Sequence, residues 1–200
     1  MGKIPFKDID QATIKSQLTE FKELESIFLT LGYDLMLHGG TLLGACRGSK
    51  LIPNDNDYDC FYICKATNKK DAKLEIAGIY ALFSEKDLVY ENNLFFGQHH
   101  LCARPGGQPF DVWAGWFEHD RLYLCFTVYG QLAKTAIMPY KVIKLEDFTF
   151  KVPADSEQFL TFHYGDWRTP QSAKPVYNTQ LFFEGKKIDL KNDGMAQEEL

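Results

Sequence analysis

Two aspartates stand inside the most strand-like run of this chain, and they limit what the chain can fold into more than any other feature. Asp57 and Asp59 belong to the run DYDCFY, which leads into a further apolar stretch. Because side chains of a strand alternate between its faces, both carboxylates point one way, and Tyr58 and Cys60 point the other. Adjacent carboxylates repel each other unless a hard cation such as Mg²⁺ or Mn²⁺ lies between them. The pattern predicts a strand over 58–64 with one buried apolar face and one metal-binding face.

A pair of glycines precedes this run and indicates a turn between a strand and a helix. A short strand is predicted over 33–37, and a short helix over 41–46 opens directly after the glycines. Glycine lets the backbone approach a ligand closely, and the free N–H groups at the start of a helix favour a phosphate. Arg47, just past that helix, can add a bidentate phosphate contact. The candidate substrate-binding residues here are His38, Gly39, Gly40, Thr41 and Arg47.

A third carboxylate, Asp111, lies in the apolar run PFDVW. An aspartate flanked by Phe and Val in a strand is costly to bury unless it is paired or bound to a metal. Three aspartates around one or two metal ions form an arrangement used for phosphoryl and nucleotidyl transfer. We therefore take Asp57, Asp59 and Asp111 as candidate catalytic and metal-binding residues, with Asp55 gathered into the same cleft.

The remaining pattern predicts one mixed sheet with helices. Residues 11–31 have apolar side chains at helical spacing, with a start near Asp8 or Asp10 and an end at Gly32. Residues 70–84 return to that spacing, and the expected apolar face is Leu74, Ala77, Ala81 and Leu82. The aromatic stretch 88–128 reads as three or four antiparallel strands with breaks at 92–93, 105–107 and 119–120. A helix over 156–164 completes an α+β or mixed α/β fold in a single domain.

Charge and composition exclude some classes of function. The chain has 22 Lys and Arg against 27 Asp and Glu, a formal net charge of −5. This balance disfavours binding to polymeric nucleic acid, which depends on clustered basic residues. The five cysteines include no C-x-x-C pair, which favours free thiols over a disulfide framework or a zinc site. With no apolar stretch long enough to cross a bilayer, we expect no transmembrane segment and a cytoplasmic location.

Four motifs occur in order along most of the chain. They are LHGGTLLGACR at 37–47, IPNDNDYD at 52–59, FDV at 110–112 and YGDWRTP at 164–170. Together they resemble the signature of the LicD/fukutin-type phosphotransferases, a family within the nucleotidyltransferase-fold superfamily. The resemblance implies a nucleotidyltransferase-like mixed sheet flanked by helices over 1–175, followed by a partly extended or mobile tail over 176–200.

The same resemblance implies a reaction. A phosphorylated group, phosphocholine-like or polyol-phosphate-like, is expected to move from a CDP-linked donor to a sugar hydroxyl of a surface glycan, with Mg²⁺ or Mn²⁺ as cofactor. It also implies that Asp166 and Arg168 contact the donor, although a self-paired turn before Pro170 explains them equally well. The family usually has Trp at the position of Asn54 and Asp at that of Asn56, whereas Asp57 and Asp59 are retained.

Two alternatives of different class stay open. A nucleotidyltransferase would add a nucleotide from a nucleoside triphosphate to a small molecule, a protein or an RNA end. A non-catalytic nucleotide- or glycan-binding module is prompted by the missing acid at Asn56. Trp113 and Trp116 are consistent either with a choline-binding aromatic cage or with ordinary packing of the sheet.

Overall fold

In the computed structural model, the described residues are 4–89, 100–103, 110–124, 128–169, 180–183 and 186–189. They form five α-helices, ten β-strands and a short 3₁₀ helix, Phe6–Asp8. The helices are α1 (Gln11–Thr30), α2 (Gly39–Gly48), α3 (Lys69–Glu85), α4 (Lys134–Ile137) and α5 (Ser156–Tyr164). The strands are β1 (Met36–Leu37), β2 (Asp59–Ile63), β3 (His100–Ala103), β4 (Phe110–Glu118), β5 (Arg121–Leu124), β6 (Val128–Ala133), β7 (Lys141–Leu145), β8 (Phe148–Val152), β9 (Gln180–Phe183) and β10 (Lys186–Asp189).

Eight of these strands form one mixed sheet in the order β6-β5-β4-β2-β1-β8-β7, with β3 paired to β4. β2 runs parallel to β4 and antiparallel to β1, and β1 runs parallel to β8. β3, β5 and β6 join by antiparallel pairing. β3 and β5 lie within the stretch 88–128 where antiparallel strands are predicted, whereas β6 extends beyond it. The turn at His119 and Asp120, both at positive φ, lies where a break was predicted. The predicted breaks at 92–93 and 105–107 lie outside the described residues.

Helix α1 covers one face of this sheet. The Asp10 carboxylate caps it by accepting from the Thr13 N–H at 2.9 Å, and Gly32, at φ +82°, follows its end. Phe21 packs against the rings of Tyr58 and Phe110, with centroids 6.1 and 5.0 Å away. The buried residues of α1 are Ile14, Leu18, Phe21, Leu24 and Phe28. The helical spacing read in the sequence therefore marks the core-facing stripe correctly.

The opposite face of the sheet is covered by α5. The rings of Phe61 in β2 and Phe159 in α5 stack with centroids 5.6 Å apart. Tyr58 contacts α1, whereas Phe61 contacts α5, so even and odd positions around β2 face opposite sides of the sheet. The carboxylate of Asp59, two residues before Phe61, therefore lies on the α5 side of the sheet.

One predicted face is wrong. In α3, Leu74 is 68% exposed, and the buried side chains are Ala72, Ile76, Ile79 and Phe83. Both sets fit a helical period, but the observed set places two isoleucines and a phenylalanine in the core, which removes more apolar surface from water. The centroid of Phe83 lies 5.3 Å from that of Phe28 in α1, so the larger side chains set the orientation of the helix.

The other predicted helices and strands lie at or near their predicted positions, but α4, β7 and β8 were not predicted. α5 covers the predicted residues 156–164, whereas the strand predicted over 33–37 is limited to Met36–Leu37. Cys46, Cys60 and Cys64 are free thiols, as expected. Within the described part of the tail, β9 and β10 form an antiparallel pair. None of the helices described is both long and apolar enough to cross a membrane.

Candidate active site

Parallel pairing of β2 and β4 brings together two aspartates that are distant in sequence. Asp59 and Asp111 are direct neighbours in the register of these strands, so their side chains leave the sheet on the same face. The Asp111 N–H donates to the carbonyl oxygen of Tyr58 at 2.9 Å, which continues the ladder to the start of β2. Asp57 lies two residues before Asp59, just outside the strand. The three predicted catalytic aspartates therefore meet at one end of the paired strands.

Electrostatic repulsion is concentrated on Asp59. Burial raises the pKa of this carboxyl group well above its ordinary value, and the negative charges of Asp57, Asp111 and Asp55 raise it further. The indole Nε1 of Trp113 lies 3.5 Å from Asp59 Oδ1 and acts weakly in the opposite direction. A carboxyl group whose pKa is raised by burial and by neighbouring carboxylates is typical of a functional cleft.

The first turn of α2 lies against these carboxylates. Gly39 has φ +52°, a conformation that favours glycine, and a Cβ there would overlap Asp59 Oδ2. A Cβ on Gly40 would overlap Asp55 Oδ2 in the same way. The buried hydroxyl of Thr41 accepts a hydrogen bond from the Asp59 N–H at 2.9 Å. The two glycines therefore make room for the protein's own carboxylates, and a phosphate cradle at this turn stays a prediction.

The aspartate oxygens suit a magnesium ion whose remaining coordination positions are filled by water and substrate. Within the described ranges, no group of three or more His, Cys, Asp and Glu side chains is already arranged to hold a metal ion. Mg²⁺ commonly takes only one or two carboxylates and fills its remaining positions with water and substrate phosphates. Asp57 and Asp59 are both partly exposed and supply that chemistry. Asp111 as a third ligand stays a prediction.

His38 is placed beside the site but points into the protein. It is the N-cap residue of α2, yet its side chain is only 1% exposed. Its ring lies 5.7 Å from those of Phe61 and Phe159 and 5.4 Å from that of His163. Burial lowers the pKa of His38 well below its usual value, which favours the neutral ring. The structure thus gives His38 a packing role at the start of α2, and its contact with substrate stays a prediction.

Arg47 lies at the far end of α2 from the aspartates. Its Nε donates to the carbonyl oxygen of Trp167 at 2.6 Å, and its Nη2 donates to that of Thr169 at 3.2 Å. Arg47 follows Gly39 by eight positions, which corresponds to about 12 Å of helix. The guanidinium thus holds the backbone of a segment 120 residues away, and its contact with phosphate stays a prediction.

The closing motif forms a turn of its own. Asp166 accepts a hydrogen bond from the Thr169 hydroxyl at 2.8 Å, which lowers the pKa of its carboxyl group. Arg168 pairs with Glu157 at 2.5 Å, and its guanidinium lies over the ring of Trp167 at 4.6 Å. The self-paired turn considered for these residues is therefore present, and Arg47 bonds its backbone at Trp167 and Thr169. Contact of Asp166 and Arg168 with the donor stays a prediction.

The two tryptophans of β4 do not form one aromatic cage. Trp113 is on the same face as Asp111, beside Asp59. Trp116 is three residues further along the strand and faces the other layer, where its ring stacks on Tyr123 with centroids 5.5 Å apart. Trp116 thus packs the sheet, whereas Trp113 forms part of the wall of the candidate site.

Asp55 is the aspartate that the sequence places in the cleft without a catalytic or metal-binding role of its own. Its side chain is only 3% exposed, one of four buried polar or charged side chains in the described chain. The signal in the sequence is its position in the loop that leads to the D-x-D pair, but only the packing of that loop on α2 shows that the carboxylate is enclosed.

Comparison with known proteins identifies a family that matches this chain. A family model described as LicD/FKTN/FKRP, nucleotidyltransferase domain, matches residues 32–155. That span is more than half of the chain and includes Gly39, Gly40 and the aspartates from Asp55 to Asp111. No curated protein matches the chain.

Proposed function

The chain belongs to the LicD/FKTN/FKRP family, and on that premise we propose that it is a metal-dependent phosphotransferase. Membership supports a transferase that acts on glycans in general terms. The finer proposal is that the enzyme moves a phosphocholine-like or polyol-phosphate-like group from a CDP-linked donor to a sugar hydroxyl of a glycan.

One observation carries the proposal. The register of β2 and β4 places Asp111 directly beside Asp59, at the strand end where Asp57 and the first turn of α2 also lie. Carboxylates grouped at one opening suit a reaction in which a phosphorylated donor must be bound, neutralised and attacked by a hydroxyl group.

Asp57 and Asp59 are the residues that would hold Mg²⁺ or Mn²⁺. When bound, such a cation supplies neutralisation of the donor diphosphate and reverses the local sign of the charge. The N–H groups at the start of α2 can orient phosphate oxygens that approach Gly39 and Gly40. We assign Arg47 to the segment 167–169 rather than to the phosphate, because its guanidinium donates hydrogen bonds to carbonyl oxygens of that segment.

Asp111 is the proposed proton acceptor. The sugar hydroxyl oxygen would form a bond to the phosphorus of the transferred group while the bond between that phosphorus and the CMP oxygen breaks. The hydroxyl proton passes to the Asp111 carboxylate, and CMP leaves. The alternative role of Asp111, as a third metal ligand, stays open.

The test is metal-dependent release of CMP from CDP-linked donors with a sugar acceptor. Asp57→Asn and Asp59→Asn are expected to abolish the metal-dependent rate, and Asp111→Asn to lower kcat about a hundredfold or more. Asp120→Asn is the matched control, since Asp120 is exposed in the β4–β5 turn away from the site. Undiminished turnover in Asp57→Asn or Asp59→Asn would sink the proposal.

A second candidate is favoured by the matched family domain, which is described as a nucleotidyltransferase domain. That activity would release pyrophosphate from a nucleoside triphosphate instead of CMP from a CDP-linked donor. Tight binding of CDP with no turnover on either class of donor would indicate a binding module, as the Asn56 position suggests.

A further inference from the structure

The Asp55 carboxylate lies so close to α2 that the helix has no room for a side chain at Gly40. A Cβ on Gly40 would come closer than 3.0 Å to Asp55 Oδ2, a separation that real Cβ atoms essentially never show. The carboxylate therefore rests directly on the backbone of Gly40. With 3% of its side chain exposed, Asp55 fills a space enclosed by protein rather than one open to solvent.

The backbone of Asp55 is fixed on both sides. Its N–H donates to the carbonyl oxygen of Ile52 at 2.9 Å, and its own carbonyl oxygen accepts from the Phe6 N–H at 2.8 Å. The carboxylate Oδ1 also accepts from the Asn56 N–H at 3.1 Å. These bonds leave Asp55 little freedom to withdraw from α2.

A second glycine on the same face of α2 extends the contact. Gly44 lies one helical turn after Gly40, and a Cβ there would overlap the carbonyl oxygen of Lys50. The loop that begins at Lys50 and passes through Asp55 is therefore laid along a groove made by two glycines. Asp57 and Asp59 follow directly from that loop.

We propose that Asp55 is a positioning residue, whose contact with Gly40 sets where the Asp57 and Asp59 carboxylates stand relative to α2. It acts through these two aspartates and does not itself contact the metal or the substrate. For its effect on catalysis, the inference rests on the proposed function; the Gly40–Asp55 contact can be tested without it.

The experiment is a double-mutant cycle with Gly40→Ala, Asp55→Ala and the variant with both changes. It uses urea unfolding and Mn²⁺ affinity by calorimetry as readouts. Gly40→Ala is expected to weaken Mn²⁺ binding by about 10- to 100-fold, the range seen when the support of a metal ligand is lost. In the Asp55→Ala background, the same change should cost much less, because the carboxylate that the new methyl group meets is gone.

Gly48→Ala is the matched control in the same helix. A Cβ on Gly48 meets nothing within 4 Å, so this variant should keep the unfolding free energy and the Mn²⁺ affinity of the parent. If Gly40→Ala does not fold, recovery of folding in the double variant supplies the same evidence for the contact.

Asp55→Asn separates positioning from ligation. Asn keeps the shape and the acceptor oxygen of Asp55, so a positioning role predicts a smaller loss of Mn²⁺ affinity than Asp55→Ala causes. A loss as large as that of Asp57→Asn would overturn the proposal in favour of a direct ligand. Additive effects in the cycle, or a wild-type protein that binds no Mn²⁺, would also overturn it. If Mn²⁺ binding and coupling are present but no donor releases CMP, the proposed function fails and the positioning role stands.

Discussion

The two ends of α2 come from one continuous motif and yet do different work. At its first turn, Gly39, Gly40 and Thr41 contact the carboxylates or backbone of Asp59 and Asp55. At its last turn, Arg47 holds the backbone of a distant segment through two carbonyl oxygens. The start of a helix presents free N–H groups and favours anions, whereas its end presents free carbonyl groups and favours cations. The two ends of α2 therefore suit different ligands. Proximity in sequence to a glycine turn therefore does not place an arginine at the site.

Among the changes at the two ends of α2, Gly39→Ala is expected to lower the unfolding free energy most. The change places a side chain at φ +52° and against Asp59 Oδ2 at the same time. We expect a loss of about 4 kcal/mol in unfolding free energy, the sum of backbone strain and steric overlap. Urea unfolding of Gly39→Ala beside Gly48→Ala measures it. Equal stability of the two variants would mean that the first turn of α2 is not confined as described.

Acid should lower the stability of the protein through two buried histidines, His38 and His163, which lie against each other. His163 in α5 is buried beside His38, and burial lowers its pKa to about 4 from the usual 6.5. The unfolded state binds a proton at a higher pH than the folded state does. The contribution of His163 to the unfolding free energy is therefore intact above pH 6.5 and is lost as the pH falls toward 4. The loss for His163 is on the order of 3 kcal/mol at the acid end of this window.

This pH dependence is measured by urea unfolding at a series of pH values. His163→Leu should remove about one proton from the uptake on unfolding in that window, and His119→Asn is the control in the exposed β4–β5 turn. An unchanged slope in His163→Leu would contradict the prediction. His38 lies against His163 with its own pKa lowered, so part of the slope should persist.

Arg47→Ala tests the last turn of α2. Removing the guanidinium leaves the carbonyl oxygens of Trp167 and Thr169 without these donors, and we expect a loss of about 2 kcal/mol in unfolding free energy. Mn²⁺ affinity should stay close to that of the parent, because the site is at the other end of the helix. Unchanged stability together with a large rise in KM for the donor would instead show that Arg47 binds the phosphate.

Asp166→Ala is expected to have the smallest effect. The carboxylate is exposed and pairs with a hydroxyl three residues later, so its removal should hardly change the unfolding midpoint or the rate of CMP release. The measurement is a thermal melt together with the CMP assay. A loss of turnover comparable to that of Asp111→Asn would show that the closing turn contacts the donor after all.

Local patterns predicted α1, α2, α3, α5 and the strand that bears Asp59, but they did not predict α4, β7 and β8. The alternation around Asp57 and Asp59 predicted which side chains are buried, and Tyr58 and Cys60 are both 0% exposed. The spacing in α1 predicted its core-facing stripe. The buried face of α3 could not be chosen from its spacing alone, since two sets of residues fit the same period and only contact with Phe28 selects one.

The sequence by itself determined the mixed fold, the strand that bears Asp57 and Asp59, and the glycine turn before it, because periodicity and glycine act over a few residues. Only the tertiary structure decided which distant groups meet. Parallel pairing set Asp111 beside Asp59, and close packing on Gly40 enclosed Asp55. It also turned His38 into the core and Arg47 toward residues 167–169. Strand register and helix packing are set by contacts between distant segments, and no local pattern contains them.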